Sequence, residues 1–76
     1  MRVQVIAFGQ LRSMIDQELV FTDVQDTDSL KQRLEERYSG LRELNYIMAV
    51  NKEIIHGKIS LTAESIVALL PPYSGG

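Results

Sequence analysis

The chain contains no cysteine. That removes disulfides, thiolate nucleophiles and cysteine-based metal sites together, so any sulfur this protein handles is not carried on a thiol of its own. No apolar run approaches the ~18–20 residues that cross a bilayer as a helix. The opening stretch, Met1-Arg2-Val3-Gln4-Val5-Ile6, has too short an apolar segment for a secretory signal, and no small-residue cleavage site follows it. A cytoplasmic location is the resulting expectation. Positive charge is sparse: eight Lys and Arg stand against ten Asp and Glu, for a net charge of −2, and no basic stripe or block is present. Nucleic acids and anionic membranes both require clustered Lys and Arg, so neither is an expected partner. Histidine is nearly absent as well. His56 stands alone beside Gly57 with no Cys or Asp/Ser pattern around it, and it reads as a surface residue rather than part of a triad or metal site. Asp23, Asp26 and Asp28 lack the spacing and glycine of a calcium loop; acidic residues just before a helix complement its dipole instead. No metal site and no bound cofactor are expected. Lys31, Arg33, Arg37 and Arg42 read first as a solvated face.

What is present fits one small domain. Seventy-six residues allow a single core, and a chain of this size buries only about 60% of the surface its unfolded form exposes. There is little room for an enclosed pocket, so any chemistry belongs at the surface or is completed by a partner. Hydrophobic content of 45% and charged content of 24% are those of an ordinary globular chain.

Periodicity divides the chain into alternating elements. Residues 2–8 form a strand with Val3, Val5 and Ala7 on one face and Gln4, Ile6 and Phe8 on the other, stopped by Gly9. Glu18 to Thr22 is a second β-prone run. A helix should start near Thr27-Asp28-Ser29, all competent N-caps, with Ser29 and Gln32 at capping-box spacing. Leu30, Leu34 and Tyr38 give it one apolar stripe, and Gly40 is the natural stop. Tyr46 to Val50 reads as a third strand, Asn51-Lys52-Glu53 as a turn, Ile54-Ile55 as a short returning strand, and residues 62–65 as another turn. Ile66 to Leu70 is apolar on both faces and therefore expected at the centre of the sheet. One helix packed on one mixed sheet is an α+β solution, and a hairpin, a helix and a returning C-terminal strand describe the ubiquitin-like β-grasp arrangement. The expected division is a domain over 1–70 and an extended tail over 71–76.

The tail is the most informative segment. Both prolines of the chain, Pro71 and Pro72, follow directly on the last strand. Proline lacks the N–H a central strand needs, and two in sequence favour a stiff polyproline II stem. Ser74-Gly75-Gly76 then forms a thin, permissive tip. Six extended residues reach roughly 18–20 Å. A rigid stem with a side-chain-free tip suits a chain that threads a narrow channel and presents its own terminal carboxylate to another protein's catalytic groups. A carboxylate is a poor electrophile and must first become an acyl-adenylate or similar mixed anhydride. An inert, frayed terminus is the competing explanation.

The segment Val67-Ala68-Leu69-Leu70-Pro71-Pro72-Tyr73-Ser74-Gly75-Gly76 resembles the C-terminal signature of the small, sulfur-carrying subunit of molybdopterin synthase, which ends in Val-Ala-aromatic/Leu-Pro-Pro-x-x-Gly-Gly. Phe8-Gly9-Gln10-Leu11-Arg12 is similar to that family's Phe-Ala-Gln-Leu/Val-Arg stretch, and Ala49-Val50-Asn51 to its middle strand. Ala63-Glu64-Ser65 stands where the family usually has an Asp-Gly-Asp-like turn, and Tyr73 where a smaller aliphatic residue is common. The resemblance implies that Gly76 is adenylated and becomes a thiocarboxylate. Gly75, Ser74, Tyr73, Pro72 and Pro71 then position the tail. The implied partners are an adenylating enzyme of the ubiquitin-activator type that uses ATP, a sulfur donor system, and the large synthase subunit, where sulfur passes to a cyclic pyranopterin phosphate. Gly-Gly endings also fit carriers for thiazole synthesis or tRNA thiolation and ubiquitin-like protein modifiers; the Pro-Pro pair favours the synthase subunit. Phe8 and Leu70 are candidates for an apolar docking surface beside the tail, with burial in the core as the alternative for each.

Overall fold

The computed structural model describes residues 2–15 and 19–72. Five strands form one sheet: β1 (Val3–Ala7), β2 (Leu19–Phe21), β3 (Ile47–Val50), β4 (Glu53–Ile54) and β5 (Ser65–Leu70), in the order β2-β1-β5-β3-β4. β5 is central as expected, parallel to β1 and antiparallel to β3. One α-helix, α1 (Thr27–Arg37), and two 3₁₀ turns over Gly9–Ser13 and Ser39–Glu43 complete the described elements. This is the β-grasp arrangement.

The strand period of two sorts the sheet into two faces. Val3, Val5, Ala7, Val67, Leu69, Met48 and Val50 join Leu30 and Leu34 of α1 in one buried cluster. The 3₁₀ turns each contribute one buried leucine, Leu11 and Leu41. Tyr38, expected on the helical stripe, lies just past the helix as its C-cap and packs half-buried on the same core.

The helix boundaries differ from the sequence expectation in an instructive way. The N-cap is Asp26, whose Oδ1 accepts the Ser29 backbone N–H at 2.8 Å and the Ser29 hydroxyl at 2.6 Å. These bonds hold its carboxyl below the usual carboxylate range. Thr27 is unavailable as a cap because its Oγ1 accepts the Ile59 N–H, while its own N–H donates to the Ile59 carbonyl. With Leu61 N–H on the Gln25 carbonyl, these bonds tie the 59–61 segment to the start of the helix. The helix stops at Arg37, and Gly40 falls within the second 3₁₀ turn instead of ending α1. The short returning strand is Glu53–Ile54, one residue earlier than expected, because Asn51 and Lys52 alone make the hairpin turn with φ of 50° and 75°.

Glu64 also sits in the left-handed region, with φ of 64°, in the turn that starts β5. Its backbone N–H donates to the Arg2 carbonyl at 2.8 Å, so the conformation is fixed by the β1–β5 pairing. An L-residue there is strained by roughly 1–2 kcal/mol, which glycine relieves at an entropic cost of roughly 0.5–1 kcal/mol. Glu64→Gly should therefore stabilise the domain by about 0.5–1 kcal/mol, seen as a higher urea midpoint with an unchanged m-value; a lower midpoint would refute the strain.

Candidate functional site

The sheet face turned away from α1 is apolar across most of its width. Register places Ile6 beside Ala68, Ala68 beside Ala49 and Ala49 beside Ile54, a row across four strands. The next row toward the tail pairs Leu70 with Ile47. Phe8 joins it, continuing the alternation of β1 with an extended backbone and donating its N–H to the Leu69 carbonyl at 3.0 Å. None of these seven residues is charged. Phe8 is 45% exposed, Ile66 45% and Ile54 54%, whereas Leu70 is partly buried. Phe8 and Leu70 thus both lie on the open face, neither in the core cluster. Ile6, Ile47 and Ile54 extend that surface over the buried Ala49, and the signal for Ile6 and Ile47 was the apolar character of both faces of β1 and β3.

The tail leaves from this edge. Pro71 follows Leu70 directly and is partly buried; Pro72 is exposed and lies in a turn, not in a straight polyproline II run. Tyr73, Ser74, Gly75 and Gly76 lie outside the described residues. The base of the tail rests on the corner after β1. Gly9 has φ of +60°, and a Cβ built there would stand 2.7 Å from Pro71 Cγ and 3.5 Å from Pro71 Cδ. Sequence reading treated Gly9 only as a strand stop.

Elsewhere the surface offers less. An open groove of about 500 Å³ between the start of α1 and the β3–β4 hairpin is lined by Asp28, Lys31, Tyr46 and His56, among others. Beside it, Tyr46 donates its hydroxyl to Glu35 Oε2 at 2.9 Å while Lys31 Nζ lies 5.9 Å from the ring centroid. Partial burial first, and then the Glu35 carboxylate, push the phenol well above its ordinary range, so it stays protonated. The cluster braces the helix on β3 and supplies no nucleophile. Among the described residues no three His, Asp or Glu side chains gather as metal ligands, and no helix is long and apolar enough to cross a membrane.

Comparison with known proteins fits this geometry. The family model described as "ThiS family" matches residues 5–76. The chain belongs to the ThiS family. None of the curated proteins matches it. Among solved structures, it is similar to a chain of the protein–protein complex of subunits 1 and 2 of molybdopterin-converting factor from Helicobacter pylori 26695, with a TM-score of 0.81, 28% identity and 100% of both chains covered. Family membership and this match support a sulfur-carrier role on the β-grasp fold.

Proposed function

We propose that the chain is the sulfur-carrying subunit of a molybdopterin synthase, with Gly76 as its terminal residue and reacting group. The observation that carries this reading is the placement of Pro71 and Pro72 at the edge of an uncharged, open sheet face, on a chain that matches a molybdopterin-converting-factor structure over its whole length. The face docks a partner, and the tail enters that partner's active site.

In the proposed cycle the Gly76 carboxylate attacks the α-phosphorus of ATP on an adenylating enzyme, giving the acyl-adenylate and releasing pyrophosphate. A sulfur nucleophile from a donor system then displaces AMP and leaves a thiocarboxylate. On the large synthase subunit the sulfur passes to a cyclic pyranopterin phosphate, and the carrier returns as a carboxylate after hydrolysis. The chain acts as a protein-bound co-substrate: Gly76 bears the sulfur, Gly75 and Ser74 keep the tip narrow, Tyr73 contacts the channel wall, and Pro72 and Pro71 aim it.

Intact mass spectrometry tests this directly, on protein purified without reductive or acidic treatment from a host that makes molybdopterin. A fraction heavier by the difference between sulfur and oxygen is the expected result. An unmodified mass, even after incubation with the adenylating enzyme, ATP and a sulfur donor, would overturn it, and isopeptide-linked adducts would indicate a protein modifier. A thiocarboxylate that transfers sulfur to a thiazole precursor or tRNA, but not to the pyranopterin, would keep the carrier and change its product.

Phe8 and Leu70 belong to the docking face in this reading. Because Phe8 is outside the core cluster and 45% exposed, Phe8→Ala should leave the melting temperature nearly unchanged. The same change should weaken binding to the large subunit by about tenfold or more, as loss of an aromatic anchor worth at least about 1.4 kcal/mol does. Unfolding with unchanged affinity of the remaining folded fraction would refute the docking role.

A further inference from the structure

The contact between Gly9 and Pro71 assigns a task to a residue far from the reacting end. Pro71 is the first residue after the central strand and its ring is the first rigid body of the tail. Its Cγ stands 2.7 Å from the point where a side chain on residue 9 would begin, too close for a methyl group. Gly9 is itself held on both sides. Phe8 N–H is bonded to the Leu69 carbonyl, and Leu11, 1% exposed, donates its N–H to the Phe8 carbonyl and anchors the turn in the core. The corner cannot retreat from the ring without breaking the β1–β5 ladder or pulling Leu11 out. We propose that Gly9 is a positioning residue for the tail: its bare Cα is the seat on which Pro71 rests, and that seat sets the direction in which the chain leaves the sheet at Pro71 and Pro72.

The effect on chemistry follows from leverage, and here the inference rests on the carrier reading above. A shift of the ring by the few tenths of an ångström to an ångström needed to admit a methyl group grows along the residues that follow. A misplacement of about 1 Å at the reacting atoms can cost on the order of a hundredfold in rate. Docking is spared, because the apolar rows of the open face do not include Gly9. The expected signature is a fall in kcat with little change in KM.

The test is a cycle of Gly9→Ala, Pro71→Ala and the double variant, assayed as co-substrates of the adenylating enzyme. Gly9→Ala should lower kcat by about tenfold or more with KM within about twofold. In the Pro71→Ala background, where no ring remains to be displaced, adding Gly9→Ala should leave kcat nearly unchanged, while the strain of an alanine at φ +60° still shows separately as a lower urea midpoint. Effects that simply multiply, or a KM change without a kcat change, would overturn the proposal. Two readouts need no activity. The native chain should show a nuclear Overhauser contact between Gly9 Hα and Pro71 Hγ. Gly9→Ala should also change the Cα–Hα residual dipolar couplings of Pro71 and Pro72 more than those of β1, β3 and β5. Absence of the contact would remove the seat even if the chain proves a carrier. Its presence in a chain that is never adenylated would keep the seat and refute the carrier reading instead.

Discussion

Deletion of Gly76 should abolish the proposed sulfur loading while leaving the melting temperature unchanged. The described core cluster lies entirely between Val3 and Leu69, so the deletion removes nothing that holds the fold together. The variant still ends in a glycine carboxylate, on Gly75, so the chemical group is preserved and only its position changes. One extended residue spans about 3.3–3.6 Å, which is as large as the whole approach distance of a near-attack arrangement, about 3–3.5 Å. A docked body with a tail one residue short therefore holds its carboxylate out of reach of the α-phosphorus. The variant should bind the adenylating enzyme with near-native affinity and act as a competitive inhibitor of the native chain. Intact mass after incubation with enzyme, ATP and sulfur donor checks the first part, and inhibition kinetics the second. Loading of the truncated chain at the native rate would show that position of the terminus is not what the tail is built to control.

Leu34→Ala should lower stability by about 2–5 kcal/mol, the usual range for truncating a fully buried leucine. Leu34 is 0% exposed and belongs to the same cluster as Val3, Val5, Val67 and Leu69. A domain of this length has a total stability of only about 4–11 kcal/mol at 0.05–0.15 kcal/mol per residue, so this one change takes a large share of it. The site has limited freedom to collapse, because the helix is tied at its start through Thr27 and Ile59 and at its end through the Tyr38 N–H on the Leu34 carbonyl. Urea denaturation measures the loss as a lower midpoint with an unchanged m-value. A loss below about 1 kcal/mol would mean that α1 does not seal the sheet. Compared with Phe8→Ala, the two variants separate the two faces: one should lose stability, the other partner affinity.

The elements that were legible in the sequence are those whose signal is local. Alternation in β1 and the Leu30–Leu34 stripe each reflect a single buried face, and with the order of hairpin, helix and returning strand they point to the β-grasp arrangement. The central place of β5 could also be read from the apolar run Ile66 to Leu70, and the strand is indeed covered on both edges; of its two apolar faces, however, only the one carrying Val67 and Leu69 is buried, while Ile66 stays 45% exposed on the other. The cap of α1 could not be read. Thr27, Asp28 and Ser29 are as competent as Asp26, and what decides among them is the Thr27 hydroxyl's bond to Ile59, thirty-two residues away. Gly40 misled for a related reason: the chain leaves the helix at Tyr38 because that ring packs on the core, before the glycine is reached. At the candidate site, the open-face placement of Phe8 and Leu70 could be stated as one of two alternatives. It became definite only once the side that α1 covers was known. Gly9 as a seat for Pro71 was hidden altogether, because it depends on β1 and β5 being neighbours in parallel register.

That parallel register has a temporal consequence. β5 lies between β1 and β3, so the β1–β2 and β3–β4 pairs stay unjoined until residues 65–70 have left the ribosome. Before then the growing chain holds two unsatisfied strand edges, the kind that invite association with other chains. Closing the sheet needs β1 to meet β5, with Val3 opposite Ser65, and so distant a contact along the chain is slow to form. A molecule cut short before residue 65 has no route to the native sheet. A folded body therefore certifies that synthesis has passed through β5, and a chain terminated before that strand presents no finished sheet face to a partner.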